Sequence, residues 1–249
     1  MRLSQPLVLG RTSVLFTDRH DGSETEASDS GFNLAGNAAL LPSKLCHLAS
    51  FGNLTQLVLL NQVHGADVLV VNEESLGETS VQIPVTGLPV PAELPTADAV
   101  VTNLQGVGLV IRVADCLPVL FVDDASGIIG AAHAGRVGLL SGVLSNTVNT
   151  MRDMGATRID AFVGPHICGS CYEVPQSMQN AALEVPGIVS RTSWGTPALD
   201  LGAAAEAELA ALGVSTTRLD PCTMEDEDYY SHRGDQGNTG RQVGLIWRM

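Results

Sequence analysis

The sequence predicts an α/β domain in which mixed β-sheets lie between outer layers of helices. Short apolar runs that are typical of buried strands outnumber the segments with helical periodicity. The two kinds of segment do not alternate strictly along the chain, which disfavours a simple doubly wound parallel sheet. The 249 residues, 45% of them hydrophobic, are sufficient for one large core, so we expect a single domain over residues 1–249.

The first quarter of the chain predicts one helix between two buried strands. Ser13–Thr17 is an apolar run and predicts an opening strand. Leu40–Ala49 predicts a helix that carries Pro42 in its first turn, where the missing N–H of proline is tolerated. Thr55–Val63 is rich in Leu and Val and predicts a buried strand that ends at His64.

The segment after His64 predicts a second strand and then a long loop. Asp67–Val71 is apolar, and Gly65-Ala66 between the two strands predicts a β-hairpin. Residues 72–96 contain four prolines and no clear periodicity. We therefore expect a surface loop over that range.

Residues 97–138 carry the three strongest strand predictions. Gly108–Val113, Pro118–Val122 and Gly127–Ala132 are rich in Val, Ile and Leu, and each run is bounded by Gly, Pro or Asp. Cys116 follows the first run and His133 follows the third. Because α/β folds place their chemistry where strands end in loops, this stretch is the predicted centre of the active site.

The rest of the chain predicts three helices and three strands. Apolar residues recur every three or four positions over residues 135–154, which predicts one amphipathic helix that ends at Gly155. The other predicted helices are Gln176–Glu184 and Leu199–Leu212. The predicted strands are Arg158–Val163, Thr217–Leu219 and Gln242–Trp247.

The composition excludes several classes of function. The formal net charge of −14 disfavours a nucleic-acid partner, because nucleic acids bind basic surfaces. No apolar run approaches the ~18–20 residues of a membrane span, and the N-terminus lacks the apolar segment of an export signal, so we expect a cytoplasmic protein without membrane contact. The sequence also lacks the phosphate loop, the dinucleotide fingerprint and the H-E-x-x-H zinc motif.

The five cysteines indicate free thiols or a metal site. An odd number of cysteines without an export signal disfavours a disulfide framework. Cys168-Gly-Ser-Cys171 is a C-x-x-C pair, which is compatible with redox chemistry or with half of a zinc site. Because no second C-x-x-C exists to complete a four-thiolate site, we interpret Cys168 and Cys171 as two loop thiols.

His64, Cys116 and His133 form the candidate catalytic group. Imidazole and thiolate together are zinc ligands, and three protein ligands with one open position are typical of catalytic zinc. The residues alone leave two alternatives open: two histidines and a buried thiol with structural roles, or a Cys116 nucleophile with His133 as its base. We expect Asp115, which precedes Cys116, to brace the turn and not to act as a base.

Several motifs together resemble the laccase-domain family. In chain order they are Asp18-Arg19, Phe32-Asn33-Leu34, Asn61–Gly65, Ala114–Val119, Ala132–Gly135, Gly164-Pro165 with Tyr172–Val174, Cys222-Thr223, Tyr230–Arg233 and Thr239–Arg241. Bacterial members of this family, long labelled multi-copper polyphenol oxidases, are understood as zinc-dependent purine nucleoside phosphorylases. The resemblance covers nearly the whole chain and implies a single α/β domain with mixed sheets between helices.

The resemblance implies zinc bound by His64, Cys116 and His133. It implies phosphorolysis of adenosine, inosine, guanosine and S-methyl-5′-thioadenosine to the free base and ribose 1-phosphate, with deamination of adenosine as a second activity. The alternatives are a thiol hydrolase that uses Cys116 and His133, and a copper polyphenol oxidase, for which six histidines are few. We expect purine nucleosides and phosphate as ligands and favour a monomer.

An acidic protein that binds phosphate needs positive charge concentrated at one place. Arginine makes planar, bidentate contacts to phosphate, and twelve of the thirteen basic residues are arginines. The candidates for phosphate binding are Arg19, Arg112, Arg136, Arg233 and Arg241. We expect Asn33 near the sugar. The chain departs from the family at Arg136-Val137-Gly138, where Trp-Arg-Gly is common, and we expect Arg136 to supply the guanidinium one position earlier.

Overall fold

In the computed structural model, the strands form two six-stranded sheets that pack against each other and a separate two-stranded sheet. The structure describes residues 5–20, 33–34, 41–82 and 94–249. Within these ranges the helices are α1 (Leu41–Ser50), α2 (Leu76–Thr79), α3 (Arg136–Leu140), α4 (Val143–Asp153), α5 (Gln176–Asn180) and α6 (Leu201–Ala211). The strands are β1 (Leu7–Leu9), β2 (Thr12–Phe16), β3 (Gln56–Leu59), β4 (Val68–Val71), β5 (Val81–Gln82), β6 (Ala99–Thr102), β7 (Val107–Val113), β8 (Leu117–Asp123), β9 (Ile128–Ala134), β10 (Asp160–Val163), β11 (Val189–Arg191), β12 (Pro197–Leu199), β13 (Ser215–Arg218) and β14 (Gln242–Arg248).

Both large sheets mix parallel and antiparallel pairs. The first has the order β1-β2-β14-β7-β3-β5, in which β3 and β7 are parallel. The second has the order β13-β10-β8-β9-β6-β4, and its outer pairs β13–β10 and β6–β4 are parallel. The small sheet pairs β11 with β12.

Successive side chains of the central strands point to opposite faces of their sheet, so the interior is divided into layers. In β8, Leu120 packs between the two sheets, whereas Phe121 packs on the opposite face with residues of α4 and α6. In β7, Ile111 packs between the sheets and Val110 packs with residues of α1. Because both faces of these strands are buried, their sequences are mostly apolar, and Arg112 interrupts the apolar run in β7. The layered arrangement confirms the predicted architecture of mixed sheets between helices.

The three predicted central strands correspond to β7, β8 and β9. β8 and β9 form an antiparallel hairpin in which Pro118 lies opposite His133. Cys116 directly precedes β8, whereas His133 lies inside β9 and not after its end. The hairpin therefore brings the thiol and the imidazole to the same end of the second sheet.

The predicted hairpin around Gly65-Ala66 is wrong. β3 pairs with β7 and β5 in the first sheet, whereas β4 pairs with β6 in the second. Pairing between β7 and β5 buries most of β3, which an isolated two-stranded hairpin does not achieve. The connection that carries His64 therefore crosses from one sheet to the other.

The predicted single helix over residues 135–154 is two helices. α3 ends at Leu140, α4 begins at Val143, and Gly142 between them has a left-handed φ of 85°. Glycine adopts this conformation without steric cost, so it interrupts the helix although the apolar periodicity continues. Val137 in α3 is 47% exposed, while the apolar residues of α4 are buried.

The predicted surface loop over residues 72–96 contains regular structure. α2 and β5 lie within it, and β5 pairs with β3 at the edge of the first sheet. Residues 83–93, which contain three of the four prolines, lie outside the described residues. Within the described ranges, every helix is too short or too polar for a membrane crossing.

Candidate metal centre

Three side chains from distant parts of the chain converge at one end of the β8–β9 hairpin. They are His64 from the connection between the sheets, Cys116 before β8 and His133 in β9, and their ligand atoms all lie within 4.8 Å of one another. His64 Nε2 is 3.7 Å from Cys116 Sγ. The two imidazole rings meet edge to face, with their centroids 4.7 Å apart. The structure thus brings together all three residues that the sequence singles out.

The buried carboxylate of Asp98 holds both histidines. Its Oδ1 accepts a hydrogen bond from His133 Nδ1 at 2.8 Å and from the backbone N–H of His64 at 2.9 Å. Its Oδ2 accepts from the backbone N–H groups of Val63 at 3.2 Å and Gly65 at 2.6 Å. Burial opposes ionisation of Asp98, but the hydrogen bonds from His133 and the backbone outweigh it and lower its pKa.

Asp98 was not among the residues predicted from the sequence, although the sequence holds a signal for it. It is the single charged residue in the run Ala97–Thr102, directly before β6, and it is completely buried. A buried carboxylate needs several hydrogen-bond donors, which makes a lone acid in an apolar strand a candidate partner for functional groups.

The backbone around the three side chains is tightly packed. His64 has a left-handed φ of 61°, and its conformation is held by the Asp98 hydrogen bonds to three successive N–H groups. A Cβ on Gly135 would lie 2.6 Å from His64 Cδ2 and 3.0 Å from Cys116 Sγ. A Cβ on Gly138 would lie 2.7 Å from the carbonyl oxygen of Gly65. Both glycines therefore permit an approach that a larger residue would prevent.

The pKa values of Cys116 and His133 shift in opposite directions. Burial raises the pKa of the Cys116 thiol, but hydrogen bonds with His133 and His64 outweigh it and lower the pKa to about 7. Burial lowers the pKa of His133, but the hydrogen bonds to Asp98 and Cys116 outweigh it and raise the pKa to about 9. Between these values the metal-free pair is a thiolate beside an imidazolium.

The donor set fits a transition-metal ion. Thiolate and imidazole are ligands of zinc and related metals, and a carboxylate behind a ligating histidine is a common supporting partner. Because Asp98 occupies Nδ1 of His133, Nε2 is the nitrogen available to a metal. All three side chains line a common cavity, and a zinc ion that they bound would keep one position for a further ligand.

The cavity has a volume of about 530 Å³, within the range of small-molecule sites. Four of the five predicted arginines line it, namely Arg112, Arg136, Arg233 and Arg241. Polar or aromatic residues without a predicted individual role also line it, among them Asn61, Gln62, Tyr172 and His232. Within the described ranges, Arg19 and Asn33 are not part of its lining.

Arg112 is held by hydrogen bonds at both its side chain and its backbone. One terminal nitrogen donates to the carbonyl oxygen of Leu60 at 2.9 Å, and Gln62 exchanges two hydrogen bonds with the Arg112 backbone. Its Nε is buried without a hydrogen-bond partner. Burial, followed by the charge of Arg241, lowers the pKa of Arg112. An anion in the cavity would relieve this repulsion between the two guanidinium groups.

The Asp115 side chain braces the C-terminal loop, whereas the sequence predicts that it braces the turn beside Cys116. Its Oδ1 accepts from the Thr223 hydroxyl and its Oδ2 from the backbone N–H of Arg233, both at 2.7 Å. The Arg233 guanidinium donates to the carbonyl oxygen of Glu173 at 2.9 Å and lies 5.4 Å from the centre of the Tyr172 ring. Asp115 thus positions one arginine of the cavity wall.

Asn33 contacts the backbone of a cavity residue, whereas Arg19 contacts the C-terminal loop away from the cavity. Asn33 Oδ1 accepts from the backbone N–H of Arg241 at 2.9 Å. Arg19 donates to the carbonyl oxygen of Tyr229, and its guanidinium lies 4.9 Å from the centre of the Tyr230 ring. Of these two predicted substrate residues, Asn33 contacts the wall of the cavity from outside and Arg19 packs within the C-terminal loop.

A family model and several known proteins match this chain over most or nearly all of its length. The model of the family described as "Multi-copper polyphenol oxidoreductase laccase" matches residues 13–249. Purine nucleoside phosphorylase ORF3 of Streptomyces griseus is 42% identical over 96% of this chain and 96% of its own. Purine nucleoside phosphorylase SCO2081 of Streptomyces coelicolor is 45% identical over 77% of this chain and 75% of its own.

A solved structure shares the fold. YlmD from Geobacillus stearothermophilus superposes with a TM-score of 0.79 at 28% identity, covering 96% of this chain and 92% of that chain. Sequence and structure therefore agree on the same family over nearly the full length. The chain belongs to the multi-copper polyphenol oxidoreductase laccase family, and relatives in which it covers most of the length carry the name purine nucleoside phosphorylase.

Proposed function

We propose that this protein is a zinc-dependent purine nucleoside phosphorylase that also deaminates adenosine. The observation that carries the proposal is a His, Cys, His group that opens into a cavity with four arginines. The names of the relatives support nucleosides and phosphate as substrates. Adenosine, inosine, guanosine and S-methyl-5′-thioadenosine are the proposed nucleosides.

Zinc is the proposed metal, bound by His64, Cys116 and His133. When bound, it supplies Lewis acidity at its open position, which serves phosphorolysis and the activation of water for deamination. Six histidines are present and only two of them belong to this group. Among the described residues no other candidate metal cluster contains a histidine, which favours a single zinc at this site over the several coppers of a multinuclear oxidase.

The proposed phosphate site is the arginine wall of the cavity. Arg112 and Arg241 repel each other, and Arg136 and Arg233 add further positive charge in a protein whose net charge is −14. Four guanidinium groups are suited to a phosphate dianion, because each donates charge-assisted hydrogen bonds in a planar array. Arg136 would supply one guanidinium at the position where the family commonly has Trp.

The proposed reaction needs phosphate and ribose held in one orientation. A phosphate oxygen forms a bond to the anomeric carbon as the bond from that carbon to the purine nitrogen breaks. The electron pair leaves with the base, which takes up a proton. The arginines hold the attacking phosphate, while Asn61, Gln62 and Tyr172 offer polar and aromatic contacts to the nucleoside.

Product analysis tests this function directly. Zinc-loaded protein is incubated with adenosine, with and without phosphate, and the products are separated by chromatography. We expect adenine only when phosphate is present, in the wild type and in a Cys46→Ala control, but not in Cys116→Ala. Inosine formed with or without phosphate would establish the deaminase activity. If zinc-loaded protein turns over neither adenosine nor inosine, the proposal is wrong.

A thiol hydrolase is the second candidate function. The observation that favours it is the thiolate–imidazolium pair that the pKa values of Cys116 and His133 predict between pH 7 and 9. This function requires activity that survives chelation of metal and is lost when Cys116 is alkylated. The phosphorylase requires the opposite response to chelation, so the same preparation distinguishes the two.

A further inference from the structure

A second cluster of metal-ligating side chains lies outside the cavity. It contains Cys168, Cys171, Cys222 and Glu225, whose ligand atoms all lie within 4.8 Å of one another. Cys171 is buried, Cys168 and Cys222 are half-buried, and Glu225 is exposed. The two loop thiols that the C-x-x-C pair predicts therefore lie beside two further side chains of metal-ligating type, Cys222 and Glu225.

The four residues come from two turns with the same spacing. Cys168-Gly-Ser-Cys171 is one pair at positions i and i+3, and Cys222-Thr-Met-Glu225 is the other. In each turn a backbone hydrogen bond joins the two ligands, from Cys171 N–H to the oxygen of Cys168 at 3.0 Å and from Glu225 N–H to the oxygen of Cys222 at 3.2 Å. Each turn therefore presents two potential metal ligands on one side.

The two turns also contact each other at their sulfur atoms. The backbone N–H of Cys168 donates to Cys222 Sγ at 3.3 Å, and Cys171 Sγ donates to Glu225 Oε1 at 3.3 Å. Hydrogen bonds from backbone N–H groups to sulfur are a typical supporting interaction of metal thiolates. Cys168 thus contacts Cys222, and Cys171 contacts Glu225. Ligands of one shared ion would be paired across the two turns in the same way.

We propose that Cys168, Cys171, Cys222 and Glu225 bind one zinc ion as a closed structural site. Zinc binds thiolates at about 2.3 Å in a tetrahedron, so its ligand atoms are about 3.8 Å apart. Four ligand atoms within 4.8 Å of one another reach that arrangement through small side-chain adjustments. A disulfide would use two of the three thiols and leave one thiol and the carboxylate without a role, whereas zinc uses all four groups.

The proposed ion would link two segments that form or support the wall of the cavity. Tyr172, which follows Cys171, lines the cavity. Thr223, which follows Cys222, donates to Asp115, the residue that braces Arg233. A closed site with four protein ligands leaves no position for substrate, so its role is to position the cavity wall and to stabilise the fold.

Metal content tests the proposal independently of the proposed function. In a His64→Ala, Cys116→Ser background, which removes two ligands of the first site, we expect one zinc per chain after dialysis against weak chelator. Adding Cys222→Ser should reduce zinc to a trace, whereas adding Cys46→Ser should leave one zinc. Adding Glu225→Gln, an exposed and conservative change, should weaken zinc affinity at least tenfold.

Cobalt spectroscopy gives a second readout that does not need the background variants. When each protein is loaded with Co²⁺, the Cys222→Ser variant should show weaker thiolate-to-cobalt absorption than the wild type. The Cys46→Ser variant should match the wild type. The proposal is overturned if the background protein binds no zinc while its thiols react freely with a thiol reagent. It is also overturned if the mass of the protein shows a disulfide that persists when zinc is supplied. Neither result bears on phosphorolysis by the wild type.

Discussion

His133 Nδ1 donates to Asp98 Oδ1 over 2.8 Å, and neither side chain is more than 4% exposed. The same oxygen accepts the backbone N–H of His64, so one carboxylate orients two of the three residues of the candidate metal centre. Supporting partners of this kind fix the orientation of metal ligands and raise their basicity.

Replacing Asp98 by Asn should weaken metal binding more than it unfolds the protein. The side chain keeps its size but loses its charge and one of its acceptor oxygens, so it cannot accept all four hydrogen bonds. We expect zinc affinity to fall by about 10–100-fold, measured by competition with a chromophoric chelator. Asp67→Asn, an exposed neighbour, is the control and should leave the affinity unchanged. Equal affinities for the two variants would contradict the supporting role of Asp98.

Gly135→Ala should damage the candidate metal centre through steric overlap alone. The added Cβ would lie 2.6 Å from His64 Cδ2 and 3.0 Å from Cys116 Sγ, so at least one ligand must move. We expect the free energy of unfolding to fall by about 1–3 kcal/mol in denaturant titrations, as in overpacked cores. Gly77→Ala in α2 is the matched control, because its Cβ meets nothing within 4 Å. That control should be neutral or stabilise by up to about 1 kcal/mol.

Arg136→Ala and Arg241→Ala should each raise the KM for phosphate. A hydrogen bond to a charged group contributes roughly 1.5–3 kcal/mol, so the expected increase is roughly ten- to a hundredfold. Initial rates over a range of phosphate concentrations measure it, and the exposed Arg158→Ala serves as the control. If neither variant differs from Arg158→Ala, phosphate does not bind at the arginine wall.

Alkylation of Cys116 in metal-free protein should reach half its maximal rate near pH 7. The thiolate is the nucleophile, so the rate rises as pH increases through the lowered pKa of about 7. His64→Asn removes one of the hydrogen bonds that lower this pKa while it tolerates the left-handed backbone. Its midpoint should therefore move upward, toward the ordinary thiol value of about 8.5. Peptide mass mapping after timed iodoacetamide labelling follows the reaction at Cys116 alone.

The sequence by itself determined the central strands and singled out the three residues of the candidate metal centre. β7, β8 and β9 are predominantly apolar runs bounded by Gly, Pro or Asp, and such local patterns do not depend on the rest of the fold. Cys116 and His133 stand out because each adjoins the end of a buried run, where α/β folds place their chemistry. Their family motifs supplied the same assignment, and the structure brings them together with His64.

Only the tertiary structure decided which distant segments meet. β3 pairs with β7 and not with the adjacent β4, because strand pairing depends on the burial that each partner offers and not on proximity in the chain. Asp98 gained its role when folding placed it behind two histidines. Cys168 and Cys222 are 54 residues apart, and their spacing matches no short motif, so only the packing of two loops shows that they belong to one cluster. The pattern of apolar residues in a segment indicates which of its side chains are buried, whereas contacts between distant segments depend on how the whole chain folds.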